Sequence, residues 1–213
     1  MRNLAIRNSV LGGSGSALPY DAEVEYLEST GTQYILFANI GNNIDIDTWV
    51  YPANNADYGA IGRWNGGSRC DGIGYATIGS RGLWVRNAGN SSPVYVRLLV
   101  ANHFAHIVVS DVSVKVDNDD FTMGSRWSGT YVGASLGLFG CYNNNTSEMS
   151  LMAAKIGHTK IYLDGVLVRE LRPVRKSGVG YFYDEVTEEL VGNQGTGAFI
   201  IGPDKVSQLG GGV

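Results

Sequence analysis

Apolar and polar residues alternate in short runs along the chain, with turn-forming residues between the runs. The pattern is cleanest at residues 44–51, Ile-Asp-Ile-Asp-Thr-Trp-Val-Tyr, where strict alternation over four residues passes into a wholly β-prone stretch. A period of two puts alternate side chains on opposite faces, so this segment is predicted as a half-buried strand with Ile44 and Ile46 inward and Asp45 and Asp47 outward. Residues 23–35 read as a first strand interrupted at Ser29-Thr30-Gly31. A glycine-rich stretch from Tyr58 to Asn90, with runs such as Gly-Ala-Ile-Gly and Gly-Leu-Trp-Val-Arg, fits short strands and tight turns. Further strands are expected over 93–100 and 135–140. A hairpin is expected from 103–110 and 112–116, closed by a turn at Asp117-Asn118-Asp119-Asp120. Another is expected from 153–163 and 166–171, joined at Asp164-Gly165, because Asp-Gly between β-rich runs is a strong hairpin signal. Helix has little room, beyond one turn near 146–152.

Composition agrees with this pattern. Thirty glycines against five prolines and four methionines favour tight turns over sustained helix, and twelve tyrosines with four tryptophans favour half-buried strands. At 213 residues, 44% hydrophobic and 17% charged, the chain suits one all-β sandwich. Domain organisation is read as a flexible arm and hinge over 1–17, a sandwich over 18–205 and a glycine-rich tail over 206–213; Gly12 to Ser16 form the hinge.

The net charge of −4 argues against nucleic acid or an anionic membrane surface as the main partner. Charge is uneven, since residues 1–18 hold Arg2 and Arg7 and no acid, which leaves −6 on the rest. A basic arm on an acidic body is suited to docking on an acidic partner; the plainer reading is a disordered leader. Cys70 and Cys141 are the only cysteines, too few for a zinc site, and are read as partly buried thiols with pairing left open. No apolar run reaches the length of a membrane helix, and the first residues lack a signal-peptide core.

Three stretches carry a resemblance. Residues 23–35, Glu-Val-Glu-Tyr-Leu-Glu-Ser-Thr-Gly-Thr-Gln-Tyr-Ile, resemble the opening of the concanavalin A-like (laminin G-like) domains common in phages and prophages of gut bacteria. Residues 103–118 are similar to that family's central hairpin. Residues 160–197, with Tyr-Leu-Asp-Gly-Val-Leu-Val-Arg-Glu-Leu-Arg-Pro, Tyr-Phe-Tyr-Asp-Glu-Val-Thr and Gly-Asn-Gln-Gly-Thr-Gly, are similar to its closing segment. Together they span about 20–203. After Gln33-Tyr34-Ile35 the family continues Asp-Thr-Gly, whereas this chain has Leu36-Phe37-Ala38. The resemblance implies an all-β fold, a two-sheet antiparallel jelly-roll. It also implies a setting in virion proteins or surface adhesins that meet glycans or neighbouring subunits. It names no ligand, because fold does not fix function.

Each candidate chemistry competes with an ordinary structural role. A retaining glycosidase needs two carboxyl groups about 5–5.5 Å apart. Laminarinase-type members of the resembled fold carry Glu-x-Asp-x-x-Glu on one strand; Asp45 and Asp47 share a face here, but no glutamate stands beside them as general acid. Glu185, Glu188 and Glu189 read as a solvated turn. His106, in the hairpin, is expected to pack or hydrogen-bond within the sandwich, and neither His103 nor His158 lies at ligand spacing beside a carboxylate cluster. No Gly-x-Ser-x-Gly elbow or phosphate loop is present. Asp117, Asp119 and Asp120 form the best oxygen-ligand cluster for calcium, with a turn capping its own backbone as the preferred reading.

Glycan contact requires exposed aromatic faces beside amides, carboxylates or guanidinium groups. The loops around Trp64, Asn65 and Arg69, around Trp127, and around Tyr142, Asn143 and Asn144 have that make-up. Trp49 and Trp84, inside strands, are expected in the core. Arg169, Arg172, Arg175 and Lys176 read as charges on a solvated edge strand. The expectation is a non-enzymatic phage virion protein without a cofactor, a capsid decoration or fibre-type subunit made in the host cytoplasm. Arg2 and Arg7 would anchor it to capsid or other virion proteins. It is expected to form homo-oligomers, trimers among them, to meet glycans, and neither to bind nucleic acid nor to insert in membranes. The alternatives are a bacterial glycan-binding adhesin module and a glycoside hydrolase of the same fold.

Overall fold

The alternation around residue 44 becomes a central strand of the larger of two sheets. The computed structural model describes residues 18–52, 59–64, 70–76, 82–86, 94–96, 104–110, 113–122 and 135–206. The first half contributes β1 (Ala22–Glu23), β2 (Leu27–Thr30), β3 (Ile35–Phe37), β4 (Ile44–Pro52), β5 (Gly59–Trp64), β6 (Cys70–Ala76), β7 (Gly82–Arg86) and β8 (Val94–Val96). The middle contributes β9 (Ala105–Ser110), β10 (Ser113–Val116), β11 (Asp119–Thr122), β12 (Leu136–Leu138), β13 (Gly140–Asn143) and β14 (Glu148–Leu151). The last part contributes β15 (Ala153–Leu163), β16 (Val166–Lys176), β17 (Val179–Asp184), β18 (Glu189–Val191) and β19 (Ile200–Ile201). None of the described residues is helical; the one helical turn expected near 146–152 is a reverse turn followed by β14.

The larger sheet runs β11-β10-β9-β4-β15-β16-β17-β18, with β1 beside β16 and β2 joining β15 to β19. The smaller runs β14-β13-β5-β6-β7-β8, with β12 bridging β5 and β3. A single hydrophobic cluster joins them. Ile46, Val50, Ile107, Ile156, Leu171 and Phe182 enter it from the larger sheet, and Ile35, Ile61, Ile73, Val85, Leu136 and Leu138 from the smaller. Burying each such side chain contributes roughly 1.5–3 kcal/mol, so this shared interior makes the two sheets one β-sandwich. Thr48 and Thr159, paired in register and fully buried, meet their polar requirement through a 2.7 Å hydroxyl–hydroxyl hydrogen bond.

The hairpin at Asp164-Gly165 forms as predicted, with both turn residues at positive φ (50° and 76°) as a type I′ turn demands. Strand β16, however, runs on through Pro173 to Lys176 and turns again at Ser177-Gly178, also at positive φ (50° and 78°). Proline reads as a strand stop in sequence. Here its carbonyl accepts from the Val24 amide, so its missing donor falls on the side of the two-residue β1 and disturbs no long ladder. Because β16 lies between β15 and β17, its arginines are not on an edge strand as expected.

The other departures are local. Asp119 and Asp120 lie in β11 rather than in a turn, and only Asp117 and Asn118 turn the chain, Asp117 at φ 53°. Among the described residues every strand pairing is antiparallel except β5 with β13. The exception arises at Phe139 (φ 61°). There the chain reverses, so that Leu138 and Gly140 both register with Ile61 from opposite directions.

The first and third resembling stretches meet in space. The Asn193 side-chain oxygen accepts from the amides of Tyr34 and Gly195, and its amide group donates to the Gly197 carbonyl. Gln194 accepts from the Leu36 amide, and the Thr196 amide donates to the Thr32 carbonyl. A Cβ on Gly195 would lie 2.1 Å from that same carbonyl oxygen, so only glycine fits. Downstream, the Lys205 amide donates to the Glu23 carbonyl, bringing the end of the sandwich back beside its start.

Candidate functional site

Strand β4 turns Ile44, Ile46, Thr48 and Val50 inward, so Asp45, Asp47, Trp49 and Tyr51 occupy the outer face of the larger sheet. Trp49 is 41% exposed, contrary to the core position expected for a strand tryptophan. The reason is parity: it stands two residues from Asp47 and four from Asp45, both of which face solvent. Opposite it on β9 is its cross-strand partner His106. The two rings stack with centroids 4.8 Å apart and planes 12° from parallel, and Phe104 continues the stack at 6.2 Å and 14°. Tyr26 packs against Phe104 at 5.9 Å, and the Lys155 ammonium lies 4.7 Å from the Tyr26 ring and 5.4 Å from the Tyr51 ring.

A β-bulge seats this aromatic ledge. Between Ile156 and Thr159 strand β15 gains a residue over β4, and Gly157 sits beneath the stack. A Cβ there would approach the Trp49 Cβ to 3.0 Å, the Phe104 ring to 3.1 Å and the Glu25 carbonyl to 3.2 Å. His106 is held edge-on by its Nε2–H, which donates to Asp47 at 2.7 Å. The ring is thus fixed both by stacking and by a carboxylate. Beside Asp47 the surface sinks into an open groove of about 260 Å³, lined on the same face by Asp45, Val108, Ser110, Tyr162 and Gly165. The result is an aromatic shelf running into a depression bordered by carboxylates and hydroxyls.

The β16–β17 side of the sheet is built differently. Arg172 meets Glu185 at 2.5 Å, Glu170 at 3.5 Å and Glu23 at 3.7 Å. Arg175 meets Asp204 at 2.8 Å, and Arg169 meets Asp184 at 2.7 Å. Asp184 is fully buried and also accepts from the Glu170 and Val186 amides and the Thr187 hydroxyl. His158 shares Glu170 at 3.1 Å; burial, then the Arg172 charge, hold its imidazole below the ordinary value despite that carboxylate. Nearby, burial and then the Glu23 charge push the Tyr20 phenol up to about 12. The three arginines of the basic cluster seen in sequence are therefore matched by acids. The distant carboxylates beside His106 and His158 come from β4 and β16, which is why sequence spacing gave no sign of them.

Trp64 and Asn143 register across the parallel pairing of β5 with β13, and Trp64 is 38% exposed, whereas Tyr142 registers with the buried Arg63 and so takes the opposite face. Asn144 is buried. Its two amide ends bond the backbone of Ser135, donating at 3.1 Å and accepting at 2.8 Å. Asn143 accepts from the Asn145 and Thr146 amides, so its oxygen closes its own turn. Asn65, Arg69, Trp127, His103 and the arm residues Arg2 and Arg7 lie outside the described residues, as do the side chains of Trp84 and Cys70. Asp117 accepts from the His106 amide at 3.0 Å, a capping role, while Asp119 and Asp120 are exposed on β11. Among the described residues no cluster of three or more His, Cys, Asp or Glu side chains is arranged to hold a metal ion, and no helix is long and apolar enough to cross a membrane.

No protein-family model matches the chain, and no curated protein matches it in sequence. What the geometry defines is an all-β two-sheet sandwich whose larger sheet carries an aromatic shelf, partly exposed among the described residues.

Proposed function

We propose that the protein is a non-enzymatic virion component of a bacteriophage. In this reading it is a capsid decoration or fibre-type subunit that displays a concanavalin A-like sandwich and meets host or mucosal glycans. The resemblance of residues 23–35 and 160–197 supports the phage setting, and Arg2 and Arg7 before the Gly12–Ser16 hinge suit an anchoring arm. The observation that carries the glycan part is the Trp49–His106–Phe104 stack opening onto the groove at Asp45 and Asp47. A flat aromatic face receives the C–H side of a sugar ring, while carboxylates and hydroxyls beside it take up hydroxyl hydrogen bonds. In this reading the sugar is met by the face of the larger sheet, a different place from the loops favoured by sequence.

Two measurements test the reading. Trp49→Ala should abolish retention on immobilised bacterial-surface and mucin polysaccharides; failure of the unaltered protein to bind any of them would refute the glycan part. Deleting residues 1–17 should remove the protein from phage particles while leaving the melting transition in place. Particle association that persists would refute the anchoring role. Release of reducing sugar dependent on Asp45 or Asp47 would replace this reading with the hydrolase.

A further inference from the structure

We infer that the shelf and groove select neutral pyranosides and reject acidic ones; this rests on the glycan reading above. Two residues of strand span about 6.6 Å, so Trp49, Asp47 and Asp45 form a line of evenly spaced contacts along β4. A sugar ring stacked on Trp49 has its edge hydroxyls over Asp47. The next ring along the line enters the groove between Asp45, Ser110 and Tyr162. Carboxylates only accept hydrogen bonds, so both acids favour ligands rich in hydroxyl or amide donors.

The charges facing the line decide the selectivity. His106 already gives its Nε2–H to Asp47. Lys160, which registers with Asp47 across the β4–β15 ladder, is paired with Glu170 at 3.8 Å. Lys155 is held at 3.7 Å from Glu28 and over two tyrosine rings. Lys155 and Lys160 are therefore engaged by acids and rings of the sheet itself, and the exposed Lys115, one strand beyond Val108, stands opposite Asp120, while two carboxylates border the groove directly. A uronate, sialate or sulfate placed there brings like charge against Asp45 and Asp47 in a partly desolvated hollow, where repulsion is screened less than in open water. The groove is also smaller than the roughly 300–1,000 Å³ of drug-sized sites, which suits one ring at a time rather than a branched acidic cluster.

The test is a glycan array probed with the full chain. It pairs neutral hexose and N-acetylhexosamine oligosaccharides with their sialylated, uronate and sulfated counterparts. The expected result is binding to neutral members, with acidic counterparts at least tenfold weaker. The double variant Asp45→Asn, Asp47→Asn should narrow that gap by at least tenfold, read as the ratio of acidic to neutral binding whatever neutral affinity it loses; an unchanged ratio would overturn the inference. Acidic members bound as well as or better than neutral ones would overturn the inference and leave the glycan reading standing. No binding to any sugar would refute the reading itself. Val108→Phe fills the groove from the outer face without touching the core, so it guards against a fold defect in Trp49→Ala. Neutral binding that survives both variants would place the sugar elsewhere and overturn the inference.

Discussion

The two halves of the larger sheet use charge and aromatic rings in opposite ways. Around β16 and β17 each arginine of Arg169, Arg172 and Arg175 has an acid within ion-pairing distance, the Arg169–Asp184 pair on the inner face, so these charges are internally neutralised. Across β4 and β9 the aromatic rings stack on one another but remain partly open, with acids at the margin of a groove. A surface whose charges are already matched offers little to a ligand. The proposed glycan site rests on the other half, where rings seated by a glycine bulge stay half in solvent. The difference teaches that a run of basic residues in a sequence can be answered by acids from distant strands, while ring stacking across strands leaves no trace in local charge.

The contrast can be broken first on the closed side. Asp184→Ala removes the buried acceptor of Arg169 and of three further donors, and should destabilise the fold by about 3 kcal/mol, since a buried charge pair broken on one side leaves its partner uncompensated. For a chain of this size the melting temperature should fall by roughly 6–12 °C, read by thermal melting, with sugar binding by the folded protein unchanged. On the open side, Gly157→Ala forces a methyl group against Trp49, Phe104 and the Glu25 carbonyl. It should weaken glycan retention more than tenfold, with a stability loss of about 1–3 kcal/mol, checked by isothermal titration and melting.

A smaller effect separates the halves by pH. In the fold His158 is held below the ordinary imidazole value, so near that value the unfolded chain binds more protons than the folded one. Its contribution is fully present above the unfolded value and is lost as pH falls through the folded one. Melting between about pH 7.5 and 5.5 should therefore show a steeper loss for the native protein than for His158→Gln. Equal slopes would mean that His158 does not titrate differently on folding. The smallest effect is expected for Asp204→Ala. The Arg175–Asp204 pair is exposed, and its removal should leave the melting temperature nearly unchanged, the residual difference fading with added salt.

Trp49 and Asn144 show where sequence reading succeeded and where it failed. Alternation at 44–51 placed Asp45 and Asp47 outward, and the same parity places Trp49 outward; treating a strand tryptophan as core ignored it. Asn144 lies beside a loop-like run of asparagines, yet it is buried because Ser135, nine residues away, needs its backbone capped. Asp117 behaved as the turn cap preferred for it, whereas Asp119 and Asp120 passed into β11.

Periodicity, turn chemistry and composition by themselves determined the all-β class, the Asp164-Gly165 hairpin and the inward set of β4, because these depend on local backbone preference and a period of two. The resembling stretches marked Asn193, Gln194 and Asp184, but not what they do. Only the tertiary structure decided that these side chains stitch the closing loop to the first turn and bury a charge. It alone set β4 against β9, giving the Trp49–His106 stack and the Asp47 contact. Such pairings join residues nearly sixty positions apart, and strand order across a sheet is written in no local pattern.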